Sequence, residues 1–121
     1  MGNENRKNTI GERLINFAIR IVALVNKLPK TPAGYAIANQ LIRSGTSIGA
    51  NSEEAKDAVS NKDFLNKISI SLKEARETFY WLRIIKSSKL LNEIVVNSEL
   101  DECNEIISIL VKSVKTIKNK L

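Results

Sequence analysis

Residues 40–55 read QLIRSGTSIGANSEEA, and how this stretch is folded decides the architecture of the chain. Ser44-Gly45-Thr46-Ser47 and Gly49-Ala50-Asn51-Ser52 are rich in the residues that usually mark loops. The surrounding apolar positions say otherwise. Ile37, Leu41, Ile48, Ala55 and Val59 are spaced by four or seven, and Ser44 and Asn51 fall between them on the same face. This periodicity predicts one long helix through the glycines, with a hinge or loop at Gly45–Gly49 as the alternative. Each interior glycine costs about 1 kcal/mol relative to alanine, so tertiary contact has to offset that loss. A second row, Ala38, Ile42, Gly45 and Gly49, is built mostly from small residues, across which two helix backbones can approach closely and gain dispersion contacts.

Outward from this segment the chain is helical in both directions. Thr9, with Glu12 three residues on, marks a helix start. Ile10, Leu14, Phe17, Ile21, Leu24 and Leu28 form its apolar stripe, widened by Ala18, Val22 and Val25. Pro29 stops it, giving a first helix over about 9–28. Thr31-Pro32 is an N-cap followed by proline at the first helical position, and opens a second helix over 32–58. Ser60 with Asp63 caps a third, over 61–87, whose expected core stripe is Phe64, Ile68, Leu72, Ala75, Phe79 and Leu82. Trp81 lies off that stripe, either as an interface anchor or as cover for the edge of the core. Lys89–Val96 reads as a connection with room for a short helical turn. Asn97 or Ser98 then caps a fourth helix, 97–120, with Leu100, Cys103, Ile107, Leu110, Val114, Ile117 and Leu121 inward.

A chain of 121 residues has room for one core, and four amphipathic helices on short connections predict an all-α, antiparallel up-and-down four-helix bundle. Residues 1–8 are polar and are expected to form a disordered tail. They do not resemble a secretory signal, and no apolar run is long enough to cross a bilayer, so a cytoplasmic location is expected. The first helix has apolar residues beyond the width a four-helix core needs. That surplus, the small-residue face of the second helix and the position of Trp81 predict self-association.

The residue inventory argues against catalysis. Histidine is absent and Cys103 is the lone cysteine, which removes the commonest general base and the multi-cysteine metal sites. Glu53, Glu54, Glu74 and Glu77 lie on the two central helices, but a di-iron carboxylate site also needs Glu-x-x-His. Pairing of Glu54, Glu74 and Glu77 with Arg43 or Arg76 is the expected use of these acids. Gly45–Gly49 lacks the Lys-Ser or Lys-Thr of a phosphate loop, and Ser44, Ser47 and Ser69 have no base to activate them. No cofactor, metal or enzymatic activity is expected.

The formal charge is +6, from 19 Lys and Arg against 13 Asp and Glu. A surplus of this size favours polyanionic partners, chiefly RNA or DNA. Lys112, Lys115, Lys118 and Lys120 gather at the C-terminal end, where they complement the helix dipole and also form a cationic patch.

The segment at 40–55, followed by Ser-x-x-Asp-Phe at 60–64, Lys-Glu-Ala-Arg-Glu-Thr at 73–78 and Tyr-Trp-Leu at 80–82, closely resembles a bacterial family of four-helix bundles. Its members are encoded in intervening sequences of 23S ribosomal RNA genes, and the accessory variability determinant protein of diversity-generating retroelements is related to them. The resemblance runs from about Phe17 to Leu82. It implies a homopentameric ring with a basic surface for nucleic acid and, in the retroelement branch, for a reverse transcriptase. Gln40, Arg43, Ser44, Ser47, Ile48, Asn51, Glu54, Ala55, Glu74, Glu77 and Trp81 match the family's packing and polar-core positions. The leading expectation is therefore a noncatalytic, oligomeric nucleic-acid-binding accessory protein that reads phosphates, with a protein-docking scaffold as the alternative. The candidate contact residues are Arg13, Arg20, Lys27, Arg43, Lys73, Arg76, Arg83, Lys112, Lys115 and Lys118.

Overall fold

Thr9 opens the first helix by accepting a hydrogen bond from the Glu12 backbone N–H at 3.2 Å, which satisfies one of the donors a helix start leaves free. In the computed structural model, which describes residues 9–121, this helix is α1, Ile10–Val25. It ends earlier than the periodicity implies. Leu28 precedes Pro29 and is disfavoured in the α conformation, so the chain tightens into turns in which Lys27 and Leu28 donate to Leu24 and Val25. The second helix, α2, spans Pro32–Ala55 and is capped by Thr31, whose hydroxyl accepts from the Gly34 N–H at 3.1 Å. It runs unbroken through Gly45 and Gly49 and then passes into tight turns at Lys56–Ala58, short of the expected end at 58.

The third helix, α3, covers Asn61–Ser87 as expected, with Ser60 accepting from the Asp63 N–H at 3.0 Å. Its end is closed without the usual glycine. Lys89 adopts a left-handed φ of 59°, the Leu90 N–H reaches back to the Ile85 carbonyl, and the Lys89 N–H to that of Lys86. Asn92 then caps α4, Glu93–Lys118, by accepting from the Ile94 N–H at 2.8 Å. The fourth helix thus starts four residues before the expected 97, and neither Asn97 nor Ser98 is its cap. The tail expected at 1–8 lies outside the described residues.

Pairs of side chains fix the topology. Gly45 faces Ile21 and Gly49 faces Leu14, so α2 runs against α1. Ser44 meets Thr78 and Ser71 meets Ile48, so α3 runs against α2. Arg13 meets Glu102 and Arg20 meets Glu99, so α4 runs against α1. Neighbouring helices pack around the ring α1–α2–α3–α4, and the backbones of the diagonal pairs stay apart. This is an antiparallel up-and-down bundle.

Leu14, Phe17, Ile21, Leu24 and Leu28 of the α1 stripe are buried as predicted, with Leu41, Ile48 and Ala55 facing them from α2. The α3 and α4 stripes are rotated from the expected ones. Ile68, Ala75, Leu82 and Ile85 fill the core from α3, while Phe64, Leu72 and Phe79 are half-buried on its flank. On α4 the buried set is Val96, Cys103, Ile106 and Leu110; Leu100, Ile107 and Val114 are flanking and Leu121 is exposed. The rotation on α3 has a physical cause. Ser71 and Thr78 satisfy their hydroxyls inside the α2–α3 seam, so small polar residues occupy positions that an apolar count would skip.

Candidate nucleic-acid interface

The residues carrying the resemblance assemble the seam between α2 and α3. The Ser44 and Thr78 hydroxyls, both fully buried, lie 2.9 Å apart, and Thr78 is also 2.8 Å from the Glu74 carbonyl. Ser71 donates to the Ile48 carbonyl at 2.7 Å. At the rim, Arg43 reaches Glu74 at 3.2 Å and pairs with Glu77, which in turn accepts the Trp81 indole N–H at 3.1 Å. Ser47 donates to the Arg43 carbonyl at 2.6 Å, and the Asn51 amide to the Ser47 carbonyl at 2.8 Å, both within α2. Ala55 is buried, Gln40 is exposed, and Glu54 pairs with Lys67 at 2.8 Å. The expected partners of Glu54, Arg43 and Arg76, are therefore not the ones used. Trp81 is half-buried and packs against the core, so it covers an edge.

A second polar seam closes α1 on α4, the pair with the thinnest packing. Arg13 donates to Glu102 through Nε at 2.7 Å and through a terminal nitrogen at 2.9 Å, and to Glu105 at 2.6 Å. Arg20 lies 3.0 Å from Glu99 Oε1 and donates to the other oxygen at 3.2 Å and to the Ser98 hydroxyl at 3.1 Å. Hydrogen bonds from Arg13 hold the Glu102 carboxyl below the usual range, and those from Arg43 and Trp81 do the same for Glu77. Cys103 is buried with its thiol 3.3 Å from the Ala75 carbonyl; desolvation, then the charges of Glu102 and Glu99, push it up to about 12. It is a packing residue.

These seams divide the ten candidate cations. Arg13, Arg20 and Arg43 are held in ion pairs between helices and their positive charge is locally balanced. Lys27, Lys73, Arg76, Arg83, Lys112, Lys115 and Lys118 are exposed and have no ion-pair partner among the described residues. Lys27 sits at the α1–α2 turn with Lys30, which is also exposed. Lys73, Arg76 and Arg83 share one outward face of α3 with Lys62, Ser69, Tyr80 and Ser87, all exposed and separated by three or four residues or their multiples. From Lys62 to Arg83 this row extends about 31 Å at 1.5 Å per residue. The Cys103–Ala75 contact sets the register of α4 on α3, which brings the first turns of α3 level with Lys112, Lys115 and Lys118. Phe64 and Lys112 indeed line the same open recess, with Ser113, Thr116 and Ile117. Sequence reasoning missed Lys62 and Tyr80, although their place in the heptad-like row 62–69–73–76–80–83 was available to it.

The opposite corner of the bundle is apolar. Ile15, Ile19 and Val22 are 53%, 61% and 43% exposed, and with Ala18, Thr46, Gly49 and Ala50 they line an open groove of about 310 Å³ between α1 and α2. Among the described residues no group of Cys, Asp and Glu is placed to hold a metal ion, and no helix is long and apolar enough to cross a membrane.

The 23S rRNA-intervening sequence protein family model matches residues 6–112. The chain belongs to this family. A crystal structure from Bacteroides thetaiotaomicron VPI-5482 superposes on the intervening-sequence chain with a TM-score of 0.83 at 37% identity, covering 88% of this chain and 99% of that one. It is described as a protein of unknown function from the S23 ribosomal protein family. No curated protein matches the chain.

Proposed function

We propose that this intervening-sequence protein is a noncatalytic accessory protein that binds RNA or DNA through phosphate contacts along α3, assisted by the lysines of α4. One observation carries the reading: Lys62, Lys73, Arg76 and Arg83 stand exposed in a single row without carboxylate partners among the described residues, while Arg13, Arg20 and Arg43 are consumed in ion pairs. A row of uncompensated cations on a convex helix displaces counterions from a phosphate backbone and reads little sequence. The exposed row Ile15, Ile19 and Val22 supports self-association, in the homopentamer that the resemblance implies. Several copies would multiply the field at one nucleic acid.

Mobility shift of mixed RNA and DNA tests the binding. Binding is expected to weaken steeply with salt, and joint replacement of Lys73, Arg76 and Arg83 by glutamate is expected to abolish it with helix content unchanged. Absence of any shift at micromolar protein and low ionic strength overturns the proposal. A stoichiometric protein partner that survives nuclease treatment would instead favour a docking scaffold, for a reverse transcriptase or another protein. Sedimentation as a lone protomer at high concentration overturns the assembly.

A further inference from the structure

Tyr80 interrupts the cationic row. It is 58% exposed, four residues after Arg76 and three before Arg83, so its ring stands on the same face as both. Together with Arg83, Ile84 and Ser87 it lines an open recess of about 250 Å³. Its ring also has an aromatic neighbour. Trp81 meets it edge-on, with centroids 5.1 Å apart at 71°, and Trp81 is anchored through its indole N–H to Glu77, itself held by Arg43.

Resting on the phosphate-binding reading above, we infer that Tyr80 is a stacking platform for an unpaired base, which makes the preferred ligand single-stranded. The arrangement has the parts such a site needs. An aromatic face takes any base, because every base has a π-face, and flanking cations track the backbone on either side. Arg83 supplies a guanidinium at the edge of the recess, Ser87 a hydroxyl, and Ile84 an apolar wall against which a base can lie. Because the Arg43–Glu77–Trp81 chain already orders the ring, little side-chain freedom is lost when a base seats. A duplex presents the same phosphates to Lys62, Lys73, Arg76 and Arg83 but keeps its bases stacked on one another, so it can use the cations and not the tyrosine.

The test compares an oligouridine with an RNA duplex of equal length, measured against the wild type, Tyr80→Ala and Tyr80→Phe. Alanine is a good helix former and Tyr80 is exposed, so the fold survives the change, which circular dichroism verifies. The expected result is an affinity for oligouridine about tenfold lower in Tyr80→Ala, retained in Tyr80→Phe, with duplex affinity and salt dependence unchanged. Equal loss on both ligands, or no loss on either, overturns the stacking site and leaves the phosphate row standing. Failure of the wild type to bind either ligand overturns both readings.

Discussion

A Cβ placed on Gly45 would stand 2.9 Å from Cγ2 of Ile21 and 3.2 Å from its Cγ1. Ile21 is fully buried and β-branched, with little rotamer freedom to move aside. Gly45→Ala therefore gains the ~1 kcal/mol of helix propensity but meets an overpacking cost of about 1–3 kcal/mol, for a net loss of stability of ~0–2 kcal/mol. At Gly49 the nearest atom, Leu14 Cβ, is 3.4 Å away, an ordinary contact. Gly49→Ala is expected to be neutral or to stabilise by up to ~1 kcal/mol. Urea unfolding of the two variants separates them, and equal effects would contradict the difference in helix spacing.

The Ser44–Thr78 pair makes a second prediction. Thr78→Val removes the partner of the buried Ser44 hydroxyl and leaves it only a 3.4 Å contact to the Leu41 carbonyl, at an expected cost of ~1–3 kcal/mol. Ser44→Ala leaves Thr78 its bond to the Glu74 carbonyl and is expected to cost less, ~0.5–1.5 kcal/mol. Replacing both should cost less than the two single losses added, and a double-mutant cycle measures that difference.

Arginines of the two kinds should respond differently. Arg13→Ala breaks hydrogen bonds to Glu102 and Glu105 and leaves a partly buried carboxylate unpaired, with an expected loss of ~1–2 kcal/mol in chemical denaturation. Its effect on nucleic-acid affinity is expected to be small. Arg76→Gln and Arg83→Gln should leave stability within about 0.5 kcal/mol and weaken binding, each reducing the salt slope by roughly one unit or slightly less.

Acid should weaken the bundle at its seams. Glu77 and Glu102 titrate below their ordinary value in the folded chain because Arg43 and Arg13 hydrogen-bond their charged forms. As pH falls past about 4.3, the unfolded chain takes up these protons first, so stability is full above that value and is lost as pH descends through the folded-state pKa values. Urea midpoints between pH 7 and pH 3 should show the decline, and Glu77→Gln with Glu102→Gln should flatten it.

The all-α architecture was legible because each of the first three helices announces its start with Thr9, Thr31 or Ser60, and because the apolar phase survives the glycines of α2. What was hidden followed from residues that take unusual roles. Asn92, inside the stretch read as a connection, caps α4, so that helix starts at Glu93 and not at 97. Ser71 and Thr78 are buried through contacts with α2, which no count along α3 alone can reveal. Which of the candidate cations stay unpaired depends on acids distant in sequence, Arg13 on one nearly ninety residues away: Arg13 and Glu102 meet only in three dimensions.

The apolar row of α1 and the cationic row of α3 occupy diagonal corners of the bundle, on helices whose backbones do not approach each other. Copies gathered through their greasy corners would carry their positive edges outward, as far from one another as four helices allow. Growth of such a cluster would meet little electrostatic resistance, and a bound strand could travel around its perimeter without disturbing the joints that hold it together.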